Sequence, residues 1–191
     1  MSVAIGEHVG PWTIADVEAL ADAGDHSRYE LLTPGVLTAS PAPGFPHQRA
    51  SRRLANALEQ AALTAGAAVE VLEAVNVEAP RGRLAVPDIA VIEREFAATD
   101  PTRCPPGTVL AVVEIVSPGS EPHDRLIKPQ LYADTGIAFY WRFELTPEPH
   151  IVVSELRRGQ YIETVTAPAG ARSVIPCTFP VELDPAELVR Q

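Results

Sequence analysis

Three carboxylates stand where charge is costly. Glu114 lies inside Val112-Val113-Glu114-Ile115-Val116, in the most apolar stretch of the chain. Asp88 follows Pro87 at the mouth of a second apolar run, Ile89-Ala90-Val91-Ile92. Glu30 is a milder case in Tyr29-Glu30-Leu31-Leu32, where strand alternation puts its side chain on the face away from Tyr29 and Leu31. Burying a carboxylate uncompensated costs several kcal/mol, so a cation, a metal or a proton must accompany each. Asp88 and Glu114 are 26 residues apart, which fits two adjacent strands joined by a polar loop. Two carboxylates so placed would share one divalent ion, and hard oxygen donors select Mg2+ or Mn2+ over zinc. The carbonyl of Ile115 would add a third oxygen. Lys128 would approach from the following helix and orient the attacking water. That constellation suits phosphodiester hydrolysis. Blander readings stand beside it: Asp88 as a turn residue, Glu114 in a structural ion pair, Lys128 as a solvated surface lysine.

A second group is basic. His47 opens a helix whose first turns carry Arg49, Arg52 and Arg53, the one dense basic cluster of the sequence. With the free backbone donors of a helix start, His47, Arg49 and Arg52 would face phosphate. Such arginines also read as a solvated helix face, and Tyr132 and Tyr140-Trp141 read as core.

The elements that must position these groups follow from periodicity. Ile14–Ala23 reads as a short helix after Thr13, and Tyr29–Leu32 with Val36–Ala39 as a hairpin. Ser40–Pro46 reads as a loop. His47–Ala65 is the clearest helix, with Leu54, Ala57, Leu58 and Ala61 at helical spacing and Gly66 as its stop. Strands are predicted over Ala68–Leu72, Val75–Val77, Val86–Ile92, Val109–Val116, Ile137–Phe143, Ile151–Leu156 and Tyr161–Val165. A surface loop is expected over 93–107, and a helix over Asp124–Thr135 stopped by Gly136. Arg158-Gly159 reads as a hairpin turn, and Asp184-Pro185 as the start of a short terminal helix. This order gives an α/β fold, a mixed central sheet flanked by helices.

Composition narrows the function classes. A chain of 191 residues reads as a single domain, 1–191, with its core over about 12–165 and a C-terminal strand and short helix as an extension. The longest purely apolar run is Val109–Val113, far short of a membrane span, so no membrane association is expected. The first residues carry no basic, apolar signal pattern. Cys104 and Cys177 lie far apart with no metal-ligand spacing, so neither a disulfide framework nor a zinc site is expected, and the compartment reads as cytoplasmic. A net charge of −10 excludes a general nucleic-acid coat protein, though not a local basic groove. Nucleotide-binding glycine loops and hydrolase nucleophile motifs are lacking.

The run Tyr29-Glu30-Leu31-Leu32, Ser40-Pro41-Ala42-Pro43 and His47-Gln48 resembles the opening of the Uma-two family of restriction-endonuclease-like proteins. Pro87-Asp88-Ile89-Ala90-Val91, Val113-Glu114-Ile115-Val116-Ser117-Pro118, Asp124-Arg125 with Lys128, Leu131-Tyr132-Ala133, Gly136-Ile137 and Tyr140-Trp141 continue the likeness, over about residues 12–165. The family is similar in fold to the PD-(D/E)XK nuclease superfamily. The resemblance implies a Mg2+ site, with the motif aspartate at Asp88, the second acid at Glu114 and the acid of the first helix and hairpin at Glu30. The superfamily lysine stands two residues after the second acid; Val116 occupies that place here, and Lys128 would replace it. The expected function is a metal-dependent endonuclease acting on nucleic acid, DNA before RNA, and as a homodimer if it cuts both strands. The alternative is an inactive binding or scaffold protein of the same fold, which would need no divalent ion at Asp88 and Glu114.

Overall fold

A computed structural model describes residues 8–22, 27–40, 42–117 and 119–190. The first helix, α1 (Ile14–Asp22), is followed by the hairpin β1 (Arg28–Thr33) and β2 (Val36–Ser40). The long helix α2 (Phe45–Ala65) leads to β3 (Val69–Glu73), β4 (Val77–Ala79), β5 (Arg83–Ala85) and β6 (Ile89–Glu93). After α3 (Arg94–Ala97) comes β7 (Val109–Val116), then a π-helical turn (His123–Ile127) running into α4 (Lys128–Thr135). Strands β8 (Phe139–Glu144), β9 (His150–Arg157) and β10 (Gln160–Pro168), the pair β11 (Ser173–Pro176) and β12 (Pro180–Leu183), and α5 (Pro185–Val189) complete the described chain.

Among the described residues the strands form three sheets. The central one has the order β10-β9-β8-β7-β6-β3 and is mixed, because β7 and β8 run parallel while their neighbours are antiparallel. The parallel step needs a crossover, and the π-turn with α4 supplies it. A smaller antiparallel sheet, β2-β1-β5-β4, stands beside it, and β11 pairs with β12. Alternation along β7 decides what each face meets. Ala111, Val113 and Ile115 pack with Ala50, Leu54 and Leu58 of α2, whereas Val112 packs with Leu131 and Tyr132 of α4. Both faces are covered, as an unbroken apolar strand requires.

Several sequence expectations change. The strand expected over Val86–Ile92 begins at Ile89, and β5 precedes it, because Val86-Pro87-Asp88 is the connection between two sheets. The loop 93–107 contains the single turn α3. Helix α2 starts at Phe45 with Pro46 in its first turn, since a proline there forfeits only a donor that has no partner in the helix. The first helix matches to Asp22, while the expected Ala23, Pro41, Pro118 and the reading of the first seven residues lie outside the described residues. The C-terminal extension is a two-stranded hairpin plus helix, and Ile175, Phe179, Val181, Leu183 and Leu188 belong to the α2 core. The Arg158-Gly159 turn does form, with both residues at positive φ, the geometry that matches strand twist.

Candidate active site

The antiparallel register of β6 on β7 pairs Ile89 with Val113, and one step further along the same register Asp88 stands opposite Glu114. Directly opposed residues of an antiparallel pair project from the same face. Here that is the α4 face, shared with Ala90 and Val112. Both carboxylates line one cavity of about 690 Å³. The backbone N–H of Ile115 donates to Asp88 Oδ2 at 2.8 Å, which ties the loop carboxylate to the end of β7.

Lys128 reaches the same place, and the π-turn explains how. In an α-helix the N–H of Lys128 would bond the carbonyl of Asp124; instead it donates to His123, five residues back. Pro129 has no N–H to offer that carbonyl. The Tyr140 hydroxyl takes over, donating to the Asp124 carbonyl at 2.5 Å. With the helix so widened, the Lys128 ammonium lies 3.0 Å from Glu114 Oε2, 3.3 Å from Glu30 Oε1 and 3.5 Å from Asp124 Oδ1. Four charged side chains thus meet below the surface, each only 2–5% exposed.

Glu30 comes from β1 in the smaller sheet. Its Oε1 also accepts the N–H of Val86 at 2.8 Å, so it pins the Val86-Pro87-Asp88 connection. His47 Nε2 is 3.1 Å from Asp88 Oδ2, and the Nδ1 of the same ring is buried with no hydrogen-bond partner among the described residues. The arginines of α2 do not join the cavity lining. On the helical wheel Arg49 and Arg52 lie away from the buried stripe of Ala50, Leu54 and Leu58. Arg53 donates to the carbonyls of Glu187, Leu188 and Arg190 and fastens the C-terminal segment.

Three groups at the site escaped the sequence reading as participants. Arg28 donates to Asp88 Oδ1 at 2.8 Å. Tyr132, expected in the core, donates its hydroxyl to Glu114 Oε1 at 2.6 Å. Asp124 adds a third carboxylate to Lys128. Asp124 lies four residues before Lys128, a spacing that signals an ion pair on a helix. No sequence signal marks Arg28, whose partner is sixty residues away.

The carboxylates titrate in opposite directions. Burial alone raises Asp88, but the hydrogen bond and charge of His47 and the Arg28 guanidinium more than offset it and bring the carboxyl to about 2. Glu114 is raised well above the ordinary glutamate value by burial, and Asp88, Asp124 and Glu30 add to this against the pull of Lys128. Asp124 is raised as well, again chiefly by burial. Burial lowers the Lys128 ammonium, yet Glu114, Glu30 and Asp124 together raise it, so it stays charged. The surroundings thus push the two carboxyls apart, Asp88 down and Glu114 up, the pattern that separates acid from base roles.

Among the described residues no group of three or more His, Cys, Asp or Glu is arranged to hold a metal ion. The donors facing the cavity nevertheless suit a hard cation in kind. An ionised carboxylate has about four lone-pair directions. Asp88 spends three on Arg28, His47 and Ile115, and Glu114 spends two on Tyr132 and Lys128. Each therefore retains an acceptor position, and among the described residues no soft thiolate lines the cavity to favour zinc.

A model of the Uma2 family, described as "Putative restriction endonuclease", matches residues 14–187. The chain belongs to the Uma2 family. The match runs past residue 165 and takes in β11, β12 and most of α5, consistent with their share of the core. A solved structure described as a "putative nuclease belonging to DUF820", from Anabaena variabilis ATCC 29413, is similar in fold: TM-score 0.67 at 15% identity, covering 94% of this chain and 98% of that one. Among curated proteins no match is found. The Uma2 chain thus has the mixed α/β fold of a restriction-endonuclease-like family, and among its described residues no helix is long and apolar enough to cross a membrane.

Proposed function

We propose that this chain is a metal-dependent endonuclease that hydrolyses phosphodiester bonds in nucleic acid, DNA before RNA. The observation that carries the reading is the meeting of Asp88, Glu114 and Lys128 at one cavity, although Val116 fills the place of the superfamily motif's lysine. Asp88 and Glu114 would hold Mg2+ or Mn2+. A divalent ion there lowers the pKa of an attacking water and offsets charge on the phosphorus oxygens. Lys128 positions that water and stabilises the developing charge from a fixed point, so it needs no reorganisation during reaction. Glu30 holds Lys128 and the Asp88 connection in place. Arg28 and His47 meet the phosphate inside the cavity; Arg49 and Arg52 would serve only phosphates outside it.

The test is cleavage of plasmid and oligonucleotide substrates with Mg2+ or Mn2+, with a thermal melt of each variant. Lys128→Ala is expected to lower the rate about 100-fold or more. Lys128→Arg should rescue poorly, because a planar guanidinium does not fit a site shaped for a compact ammonium. Lys128→Ala also leaves buried carboxylates without their shared cation, so Asp88→Asn provides a second inactive variant with a smaller stability cost. Metal-dependent cleavage by none of the preparations, wild type included, would overturn the reading in favour of a binding or scaffold protein.

A further inference from the structure

We propose that Tyr132 is a positioning residue for the divalent ion: its hydroxyl holds Glu114 Oε1 so that this carboxylate keeps its remaining acceptor position turned to the cavity. This rests on the nuclease reading and adds to it a residue that touches neither substrate nor metal. Asp88, Glu114 and Lys128 all line the cavity, whereas Tyr132 does not. Its side chain is fully buried, and its ring belongs to the core cluster of Val112, Leu131 and Tyr140. The hydroxyl therefore meets Glu114 from the protein side, at 2.6 Å, and leaves the cavity side clear.

Two donors from one helix share the carboxylate. Lys128 and Tyr132 stand four residues apart on α4, a spacing that puts them on one face. The Lys128 ammonium takes Oε2 at 3.0 Å and the Tyr132 hydroxyl takes Oε1. Among the described residues no other donor reaches Glu114. The two donors differ in what they fix. An ammonium has three protons and attracts both oxygens of a carboxylate, whereas a phenol gives one proton to one oxygen. Tyr132 thus keeps Oε1 off the ammonium. Packing alone asks for no hydroxyl here, since the ring carries most of the surface and phenylalanine has the same ring. Without the hydroxyl, Oε1 is a buried acceptor with no donor. The carboxylate then turns both oxygens to Lys128, away from Asp88 and from an ion the two would share. Groups that hydrogen-bond a ligating carboxylate in this way set metal affinity by fixing its orientation.

The experiment titrates Mn2+ alone into the full chain by calorimetry, without nucleic acid, for wild type, Tyr132→Phe and Tyr161→Phe. Cleavage is then followed against Mn2+ concentration. Tyr161 is the control: its ring lies beside Tyr140 as that of Tyr132 does, but its hydroxyl donates to the Ile137 carbonyl at 2.7 Å. Tyr132→Phe is expected to weaken Mn2+ binding about 10–100-fold, while Tyr161→Phe binds as wild type does. Cleavage by Tyr132→Phe should need correspondingly more Mn2+ and recover once Mn2+ is saturating, a split that damage to the fold would not give. Mn2+ binding by Tyr132→Phe equal to wild type, an equal loss in Tyr161→Phe, or cleavage that saturating Mn2+ does not restore overturns the proposal. The two readings fail separately. Mn2+-dependent cleavage by wild type, with Tyr132→Phe binding Mn2+ equally well, keeps the nuclease and removes the role of Tyr132. Tyr132-dependent Mn2+ binding with no cleavage at any metal concentration keeps the role and removes the nuclease. If wild type binds no Mn2+, both fall.

Discussion

Asp88, just before β6, and Glu114 on β7 stand opposite each other yet respond oppositely to pH. Asp88 has a folded value of about 2 against an ordinary value of 3.8, so between these the unfolded chain binds more protons. Its contribution, about 2 kcal/mol, is present above pH 4 and lost as pH falls towards 2. Glu114 is raised above 4.5, so the folded chain keeps a proton that the unfolded chain releases. Its contribution is therefore complete below that value and is lost as pH rises through the folded one. Glu114→Gln mimics the protonated state permanently. It should match wild type in thermal melts near pH 4 and exceed it at pH 8, while cleavage disappears. A Glu114→Gln protein less stable than wild type at pH 8 would show that ionised Glu114 and Lys128 stabilise the fold. At this scale the sequence was informative wherever cost was visible. A carboxylate among the seven apolar residues of β7 demands a partner, and Lys128 is one. It was uninformative where the signal is a hydroxyl: Tyr132 fits an apolar helix face whether or not its oxygen meets Glu114, because the ring carries most of its surface.

The decisive element is the π-turn. From the sequence, Pro129 after Lys128 signals only a kink or a helix start. The register shift that results depends on Tyr140, which comes from another strand and satisfies the carbonyl that Pro129 leaves open. Pro129→Ala removes the ring that would clash with the Arg125 carbonyl in α geometry and so lets the segment return to it, rotating Lys128 relative to Glu114. Tyr140→Phe removes the hydroxyl that holds the wider turn. Each substitution is expected to reduce cleavage about tenfold or more, with substrate binding nearly unchanged, and Pro129→Ala should not lower the melting temperature. Full activity in both variants would mean that Lys128 reaches its position without the π-turn. Helix α2 behaves more simply, since its stripe was legible at 3.6 periodicity. Leu54 and Leu58 are fully buried against the central sheet. Leu58→Ala should cost about 2–5 kcal/mol, read from a denaturant melt.

At the scale of the whole chain, the central sheet divides two jobs. One face carries α2 and the C-terminal hairpin and serves as packing; the other carries α4 and the smaller sheet and holds the charged cluster. The site lies where the ends of β1, β6 and β7 and the start of α4 converge, so it needs both sheets in register. That convergence was legible only in outline: β7 and the β1–β2 hairpin match their predicted spans closely, whereas the split of Val86–Ile92 into a connection and β6 needed the second sheet to be seen. The C-terminal extension reads as one strand and a helix rather than a hairpin and a helix for a related reason. Pro176, Pro180 and the short Cys177-Thr178-Phe179 link read as irregular chain, and strands of four residues have too few positions to show alternation. Its burial gives it weight all the same. Ile175, Phe179, Val181, Leu183 and Leu188 each lie within the α2 core, and at roughly 1.5–3 kcal/mol per side chain they supply about as much as the 5–15 kcal/mol by which folded domains are stable. Arg53 ties α2 to the same segment through carbonyls of Glu187, Leu188 and Arg190. A chain ending at Gly170 is therefore expected to lose its cooperative thermal transition and to expose the apolar stripe of α2, seen as binding of a hydrophobic dye, even though every residue of the charged cluster remains. Arg53→Ala should lower the melting temperature by only a few degrees, because it removes hydrogen bonds at a partly exposed site and leaves the core intact. A truncated chain that still melts cooperatively and still cleaves would make the hairpin an appendage to the fold.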